Sequence, residues 1–325
     1  MRAVVVSQPG PPSALEIRDV PVPEPGPGEI RVRVRAFGVN RADLLQRRGM
    51  YPAPPGSPQD VPGLEHAGVV DAVGPDTDGV ALGDAVMGIV GGGAYAEYLV
   101  TSADHAVPIP QGMSYVDAAA IPEVFVTAHD ALERLAVVDG EWVLVHAVGS
   151  GVGTAAVQLI AARGARCVGT SRTAAKLARA RALGMEAGID SAGGDFAEAV
   201  IQSTGGGANA AVDLLGGRFL IQTIECMARR GRIILVGLSA GRRADIDLGT
   251  ILGKRLRIEG TVLRSRDREE KAAAVRSFAT AVLPLFAAGS INPVVDKVFE
   301  FAEVVAAHEY LETNASFGKV VVQVV

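Results

Sequence analysis

Cysteine is nearly missing from this sequence: Cys167 and Cys226 are the only two in 325 residues. Both lie inside apolar runs, which excludes a disulfide framework and reads as a pair of inert core thiols. They are also too few for any site that needs four thiolates. No uninterrupted apolar run approaches the ~20 residues that span a bilayer. The opening MRAVVVSQPGPP reaches proline before a signal peptide's apolar core can form, so a cytoplasmic protein with no membrane partner is expected. The basic residues are scattered and the net charge is -5, which leaves no concentrated positive surface for a phosphate backbone; nucleic acid is not expected as the main partner. No internal repeat or low-complexity tract is visible.

What is present is an ordinary globular composition, 49% hydrophobic and 21% charged with 39 glycines, in a chain longer than one hydrophobic core usually serves, so two domains are expected. Residues 1–120 alternate short β-like runs (AVVV, EIRVRVRAFGV, AGVVDAV, DAVMGIV) with Pro/Gly turns. The exception is a short helical turn from Arg41 to a terminating Gly49, followed by the stiff loop YPAPPGSP. From about Ser114 the pattern changes. A helix-like stretch, YVDAAAIPEVFVTAHDALERLAVV, leads into strand WVLVHAV, a glycine turn, helix TAAVQLIAARG, strand ARCVGTS and helix AAKLARARALG. With NAAVDLLGG, RRGRIILVGLSAG and KRLRIEGTVL as further buried strands, residues 121–289 read as a doubly wound parallel sheet, and the fold class is α/β. Residues 290–325 return to strand, helix, strand, and are expected to complete the first domain.

Within this alternation, Ala147-Val148-Gly149-Ser150-Gly151-Val152-Gly153-Thr154 joins a strand to an amphipathic helix, the context a dinucleotide-binding turn requires. Small residues let the backbone approach a pyrophosphate, and the helix N-terminus offers it amides and partial positive charge. Ser150, Gly151, Val152, Gly153 and Thr154 are therefore candidate cofactor residues, although the spacing is not a strict G-x-G-x-x-G and a purely structural turn has the same look. About twenty residues on, where NAD-preferring folds carry an acid, stand Ser171, Arg172 and Lys176. A hydroxyl with two cations suits the 2'-phosphate of NADPH; the plainer alternative is a capping serine with two solvent-facing side chains. Gly237 and Leu238 end a parallel strand at the carboxyl edge, where ligands collect.

These features together resemble the medium-chain dehydrogenase/reductase superfamily, in which a GroES-like β domain precedes a Rossmann domain and the chain returns to the first. The nearer resemblance is to its zinc-independent quinone oxidoreductase branch, that of zeta-crystallin. It is carried by Asn40-Arg41-Ala42-Asp43 with Gln46-Arg47-Arg48-Gly49-Met50-Tyr51-Pro52, by Pro62-Gly63-Leu64-Glu65, by Val145-His146-Ala147 before the glycine turn, by Leu263-Arg264-Ser265-Arg266-Asp267, and by Gly318-Lys319-Val320-Val321. Zinc-dependent relatives place a cysteine where Asn40 or Arg41 stands and a histidine where Leu64 stands; those ligands are missing, so no metal is expected. Glu65 then becomes a structural carboxylate, bonded to backbone or to an arginine, and His66 a packed or bridging side chain.

The resemblance implies NADPH as cofactor and a small-molecule substrate, a quinone, which needs little activation to accept hydride without a metal. It places Asn40 and Tyr51 near substrate as hydrogen-bond donors, Thr127 beside the nicotinamide ring, and Lys319 within reach of the cofactor. The plainer alternatives are a turn residue for Asn40, a covering aromatic for Tyr51, helix packing for Thr127 and a solvent-facing Lys319. Ser191 replaces a tyrosine that relatives use near the adenosine phosphate. Arg255–Gly260 would form a sheet edge, which in relatives pairs across a two-fold axis, so a homodimer is implied. Two other readings stay open: reduction of the C=C bond of enones or enoyl thioesters, and an NADPH-binding protein with a structural or RNA-binding role.

Overall fold

The computed structural model describes residues 1–324. Val325, which the sequence places in the returning segment, lies outside the described residues. The chain divides into two compact units, Met1–Val126 together with the chain from Leu263 onward, and Thr127–Val262.

In the first unit a two-stranded ribbon, β1 (Arg2–Val6) and β2 (Leu15–Asp19), precedes the long β3 (Glu29–Val39). Along β3 the residues Ile30, Val32, Val34 and Ala36 are buried, the period-two pattern of a strand with one face on a core. Helix α1 (Arg41–Arg47) follows, then β4 (Glu65–Val73), β5 (Ala85–Ile89), β6 (Tyr98–Ser102) and β7 (Ala106–Pro108). The expected single helix after Ser114 is two, α2 (Tyr115–Ala118) and α3 (Pro122–Arg134), because proline has no amide to continue α2 and fits the first turn of α3.

The second unit holds β8 (Trp142–Val145), α4 (Gly151–Ala162), β9 (Arg166–Ser171), α5 (Ala174–Arg181), β10 (Ala187–Asp190), α6 (Ala197–Thr204), β11 (Ala208–Asp213), α7 (Arg218–Cys226), β12 (Met227–Leu235), α8 (Leu248–Lys254) and β13 (Arg257–Gly260). Its six strands are parallel, in the order β10-β9-β8-β11-β12-β13. That is the doubly wound dinucleotide-fold order, with the reversal between β8 and β11. Cys167 and Cys226 are buried in it, and burial pushes the Cys226 thiol up to about 12 and the Cys167 thiol further, so both are inert.

The chain then returns through α9 (Arg268–Ala281), α10 (Leu283–Ala287), β14 (Val295–Glu300), α11 (Val304–Glu312) and β15 (Lys319–Gln323). The first unit's main sheet runs β14-β15-β3-β4-β5-β7, with β6 also on β3. Its core includes Phe37 stacked on Tyr95, centroids 4.3 Å apart.

The division differs from the boundaries 120 and 289 read from sequence. Residues 263–289 belong with the first unit: Arg268 Nη2 donates to Asp104 Oδ2 at 3.1 Å, His105 Nε2 meets Arg268 O at 3.0 Å, and Phe286 packs edge-on against Phe125. The apolar stripe of α9, Ala272, Val275 and Phe278, is equally suited to either core, so its sequence carries no sign of which one it covers.

Candidate functional site

The first unit buries a polar cluster at the start of β4. Glu65, with no exposed surface, accepts from Lys319 Nζ at 2.5 Å, Asn40 Nδ2 at 2.8 Å and the Glu123 amide at 2.9 Å. A Cβ on Gly38 would stand 2.7 Å from the Glu65 carboxyl carbon and 2.8 Å from Ala119 O, so glycine is what lets β3, β4 and α2 converge here. Glu65 is thus a structural carboxylate, held by lysine, asparagine and backbone rather than by arginine.

The structure places two of the candidate site residues in this cluster. Lys319 neither faces solvent nor reaches outward: its ammonium donates to Glu65, to Asn40 Oδ1 at 2.5 Å and to Val39 O at 3.3 Å, which uses its three hydrogens. Asn40 directs its amide inward, to Glu65 and to Gly38 O at 3.5 Å, while its backbone N–H donates to Asp43 Oδ2 at 2.8 Å as α1 begins. Asp43 also accepts from Tyr95 OH at 3.0 Å, and burial raises its carboxyl to about 6. His66 is fully buried with both ring nitrogens unpartnered, and burial drives it down to about 3, so its imidazole is neutral.

Tyr51 keeps an accessible side. Its ring lies against the Arg264 guanidinium, 4.9 Å from Cζ to the ring centroid, and Arg264 is pinned by Gly91 O at 2.8 Å, Tyr51 O at 3.1 Å and Gln46 Oε1 at 2.5 Å. Lys271 donates to Arg264 O at 3.1 Å. Burial raises the Tyr51 phenol, which keeps its hydroxyl a donor at neutral pH. Half-buried Glu123 completes the group; burial first, then the charge of Glu65, lifts its carboxyl to about 8. Sequence reading did not single out Glu123, because an acid in a first helical turn is commonplace.

In the second unit, Ser150 caps α4 by accepting from Gly153 N at 3.1 Å, and Thr154 Oγ1 donates to Gly151 O at 2.9 Å. A Cβ on Gly153 would meet Ala147 O at 2.5 Å and Val148 Cα at 2.8 Å, and Ala147 itself is left-handed at φ 49°. The helix therefore starts hard against the end of β8, with Val152 half-buried in its first turn. Ser171 ends β9 buried, its Oγ accepting from Thr173 N at 3.3 Å; Arg172 is exposed and Lys176 half-buried in α5. Gly237, whose Cβ would stand 2.7 Å from Leu214 O, and the exposed Leu238 follow β12 at the same carboxyl edge. Thr127 is half-buried on α3, one turn after Glu123. Sequence reading missed Arg218, whose guanidinium lies 3.8–3.9 Å from a Cβ position on Gly194, in the loop after β10, and Asp213, whose Oδ1 accepts from Leu215 N and Gly216 N at 2.8 Å each.

Residues 26–111 match the family model for the alcohol dehydrogenase GroES-like domain, and residues 151–280 the one described as zinc-binding dehydrogenase. Quinone oxidoreductase-like protein 2 of Bos taurus is 30% identical over 286 residues, covering 87% of this chain and 81% of that protein. The chain belongs to the medium-chain dehydrogenase/reductase superfamily. Superfamily relatives differ greatly in length: erythronolide synthase EryA2 of Saccharopolyspora erythraea is 36% identical over 88% of this chain, which spans 8% of that protein. Among solved structures, Escherichia coli quinone oxidoreductase complexed with NADPH is 28% identical at TM-score 0.90, over 99% of this chain and 100% of that one. CurK enoyl reductase is 26% identical at TM-score 0.87, over 100% and 99%. The first unit is thus the superfamily's GroES-like domain and the second its Rossmann domain.

The zinc in that family description does not fit these residues. Among the described residues no three His, Cys, Asp or Glu side chains are grouped to hold a metal ion. Leu64 is a buried apolar side chain, and both thiols lie within the Rossmann core. A nucleotide does fit: glycine is required at the tight start of α4, and the carboxyl end of β9 offers a hydroxyl and an arginine.

Proposed function

We propose that the chain is an NADPH-dependent quinone oxidoreductase that works without a metal. The observation that carries the reading is the Tyr51 and Arg264 pair: a protonated hydroxyl on a ring backed by a buried guanidinium, suited to receive a carbonyl oxygen on which negative charge develops. NADPH, when bound, supplies hydride. Gly151 and Gly153 let its pyrophosphate approach the α4 N-terminus, where Ser150, Val152 and Thr154 shape the turn, while Gly237 and Leu238 border the same sheet edge. Thr127 is proposed to stand beside the nicotinamide. Ser171, Arg172 and Lys176, with Arg218 near the β10 end, form the 2'-phosphate side. Asn40, Glu65 and Lys319 hold the floor of the acceptor site rigid.

An acceptor panel tests this reading: quinones should be turned over with NADPH faster than enones. Enones outpacing quinones would favour the second reading, C=C reduction, to which the similarity with CurK enoyl reductase points. Replacing Arg172 and Lys176 together by alanine should weaken NADPH binding roughly 10- to 100-fold and leave NADH within about twofold. Equal losses for both nucleotides in a calorimetric titration would remove the 2'-phosphate assignment.

A further inference from the structure

We propose that the GroES-like unit carries a second ligand site, for a small carboxylate with an apolar chain, in a cavity between Arg35 of β3, Tyr115 of α2 and the end of β15. The cavity has a volume of about 450 Å³, within the range of small-molecule sites. Arg35, Tyr115 and Gln323 supply its polar groups, and Met113, Val116 and Val324 its apolar wall. Val324 N donates to Arg35 O at 2.8 Å, which ties the last strand to β3 where the cavity lies.

The site is separate from the Glu65 cluster, although the same three elements build both. At Glu65 they converge through Gly38 of β3, Lys319 of β15 and Ala119 O at the end of α2. Strands advance about 3.3 Å per residue, so Arg35 stands roughly 10 Å from Gly38 and Gln323 roughly 13 Å from Lys319.

Charge selects the ligand. Arg35 is half-buried and meets no carboxylate among the described residues, whereas Arg31 of the same strand is held by Asp71 at 2.9 Å and Glu24 at 3.0 Å. The half-buried Tyr115 hydroxyl also makes no hydrogen bond among the described residues. A guanidinium offers a carboxylate two parallel N–H donors, and the phenol adds an O–H. Ser114, which also lines the cavity, is committed elsewhere: its Oγ accepts from Asp117 N at 3.1 Å and donates to Asp117 Oδ2 at 2.7 Å. The apolar wall takes the chain, with the flexible Met113 able to adjust to its length. Met113 also lines a neighbouring cavity of about 330 Å³, but the charged group there is the Asp117 carboxylate, which disfavours an anion.

Decanoate is the probe. Calorimetric titration of the full chain, with and without NADPH, should show one site. Affinity should rise about fourfold per methylene from hexanoate to decanoate, as each CH2 leaves water. Arg35→Gln should weaken decanoate roughly 10- to 100-fold and Tyr115→Phe roughly three- to tenfold. Decanol, of equal length but uncharged, should bind at least about tenfold more weakly than decanoate. Val116→Trp fills the cavity while keeping Arg35, and should abolish binding with cooperative thermal unfolding retained, so the test does not hang on the folding of one variant. Quinone turnover should be unchanged in both Arg35→Gln and Val116→Trp, and quinone should not displace decanoate. No binding of decanoate by the wild type, undiminished binding in both of these variants, or displacement by quinone overturns the site.

Discussion

Lys319→Met is expected to destabilise the GroES-like unit by about 3–5 kcal/mol, the usual effect of removing one partner from a buried ion pair. Lys319 is 3% exposed and Glu65 fully buried, so the variant strands a carboxylate in a low-dielectric site with one amide side chain and one backbone N–H left to hold it. The double variant Glu65→Gln/Lys319→Met should recover much of the loss, since neither charge remains. Urea denaturation reads both effects. A loss below about 1 kcal/mol, or a double variant no better than the sum of its parts, would mean that the pair is not the strut described above.

Gly153→Ala should weaken NADPH binding on the order of 100-fold, because displacing a binding group by about an ångström has effects of that size. The added Cβ has no flexible neighbour to push aside: both close atoms, Ala147 O and Val148 Cα, are backbone at the end of β8. Either α4 moves away from the strand or the turn opens, and each shifts the amides that meet the pyrophosphate. Gly253→Ala in α8, where an added Cβ meets nothing within 4 Å, serves as the control and should be neutral or mildly stabilising. Native affinity in Gly153→Ala would place the nucleotide elsewhere.

The parts of this arrangement visible in the sequence are those with local causes. The alternation in β3, the strand, turn and helix from Trp142 to Ala162, and the apolar settings of both cysteines follow from side-chain period and turn chemistry over a few residues. The acceptor site was only partly legible. Tyr51 was marked by its loop motif, but the partner beneath its ring, Arg264, is 213 residues away. Lys319 meets Glu65 across 254 residues, and no periodicity announces that both would be buried. Glu123 owes its raised pKa to burial first and then to a carboxylate 58 residues earlier in the chain. The placing of α9 with the first unit was not legible for a related reason, since its contacts with Asp104, His105 and Gly28 join segments far apart in the chain. No helix among the described residues is long and apolar enough to cross a membrane.

The most direct measurement is a stopped-flow single turnover in which protein dialysed against EDTA and loaded with NADPH is mixed with a simple quinone. Rapid, stoichiometric loss of NADPH absorbance with equal formation of hydroquinone, unchanged by the chelator, is expected. No oxidation of NADPH by any quinone, or activity that disappears with EDTA and returns with zinc, would contradict a metal-free NADPH:quinone reductase.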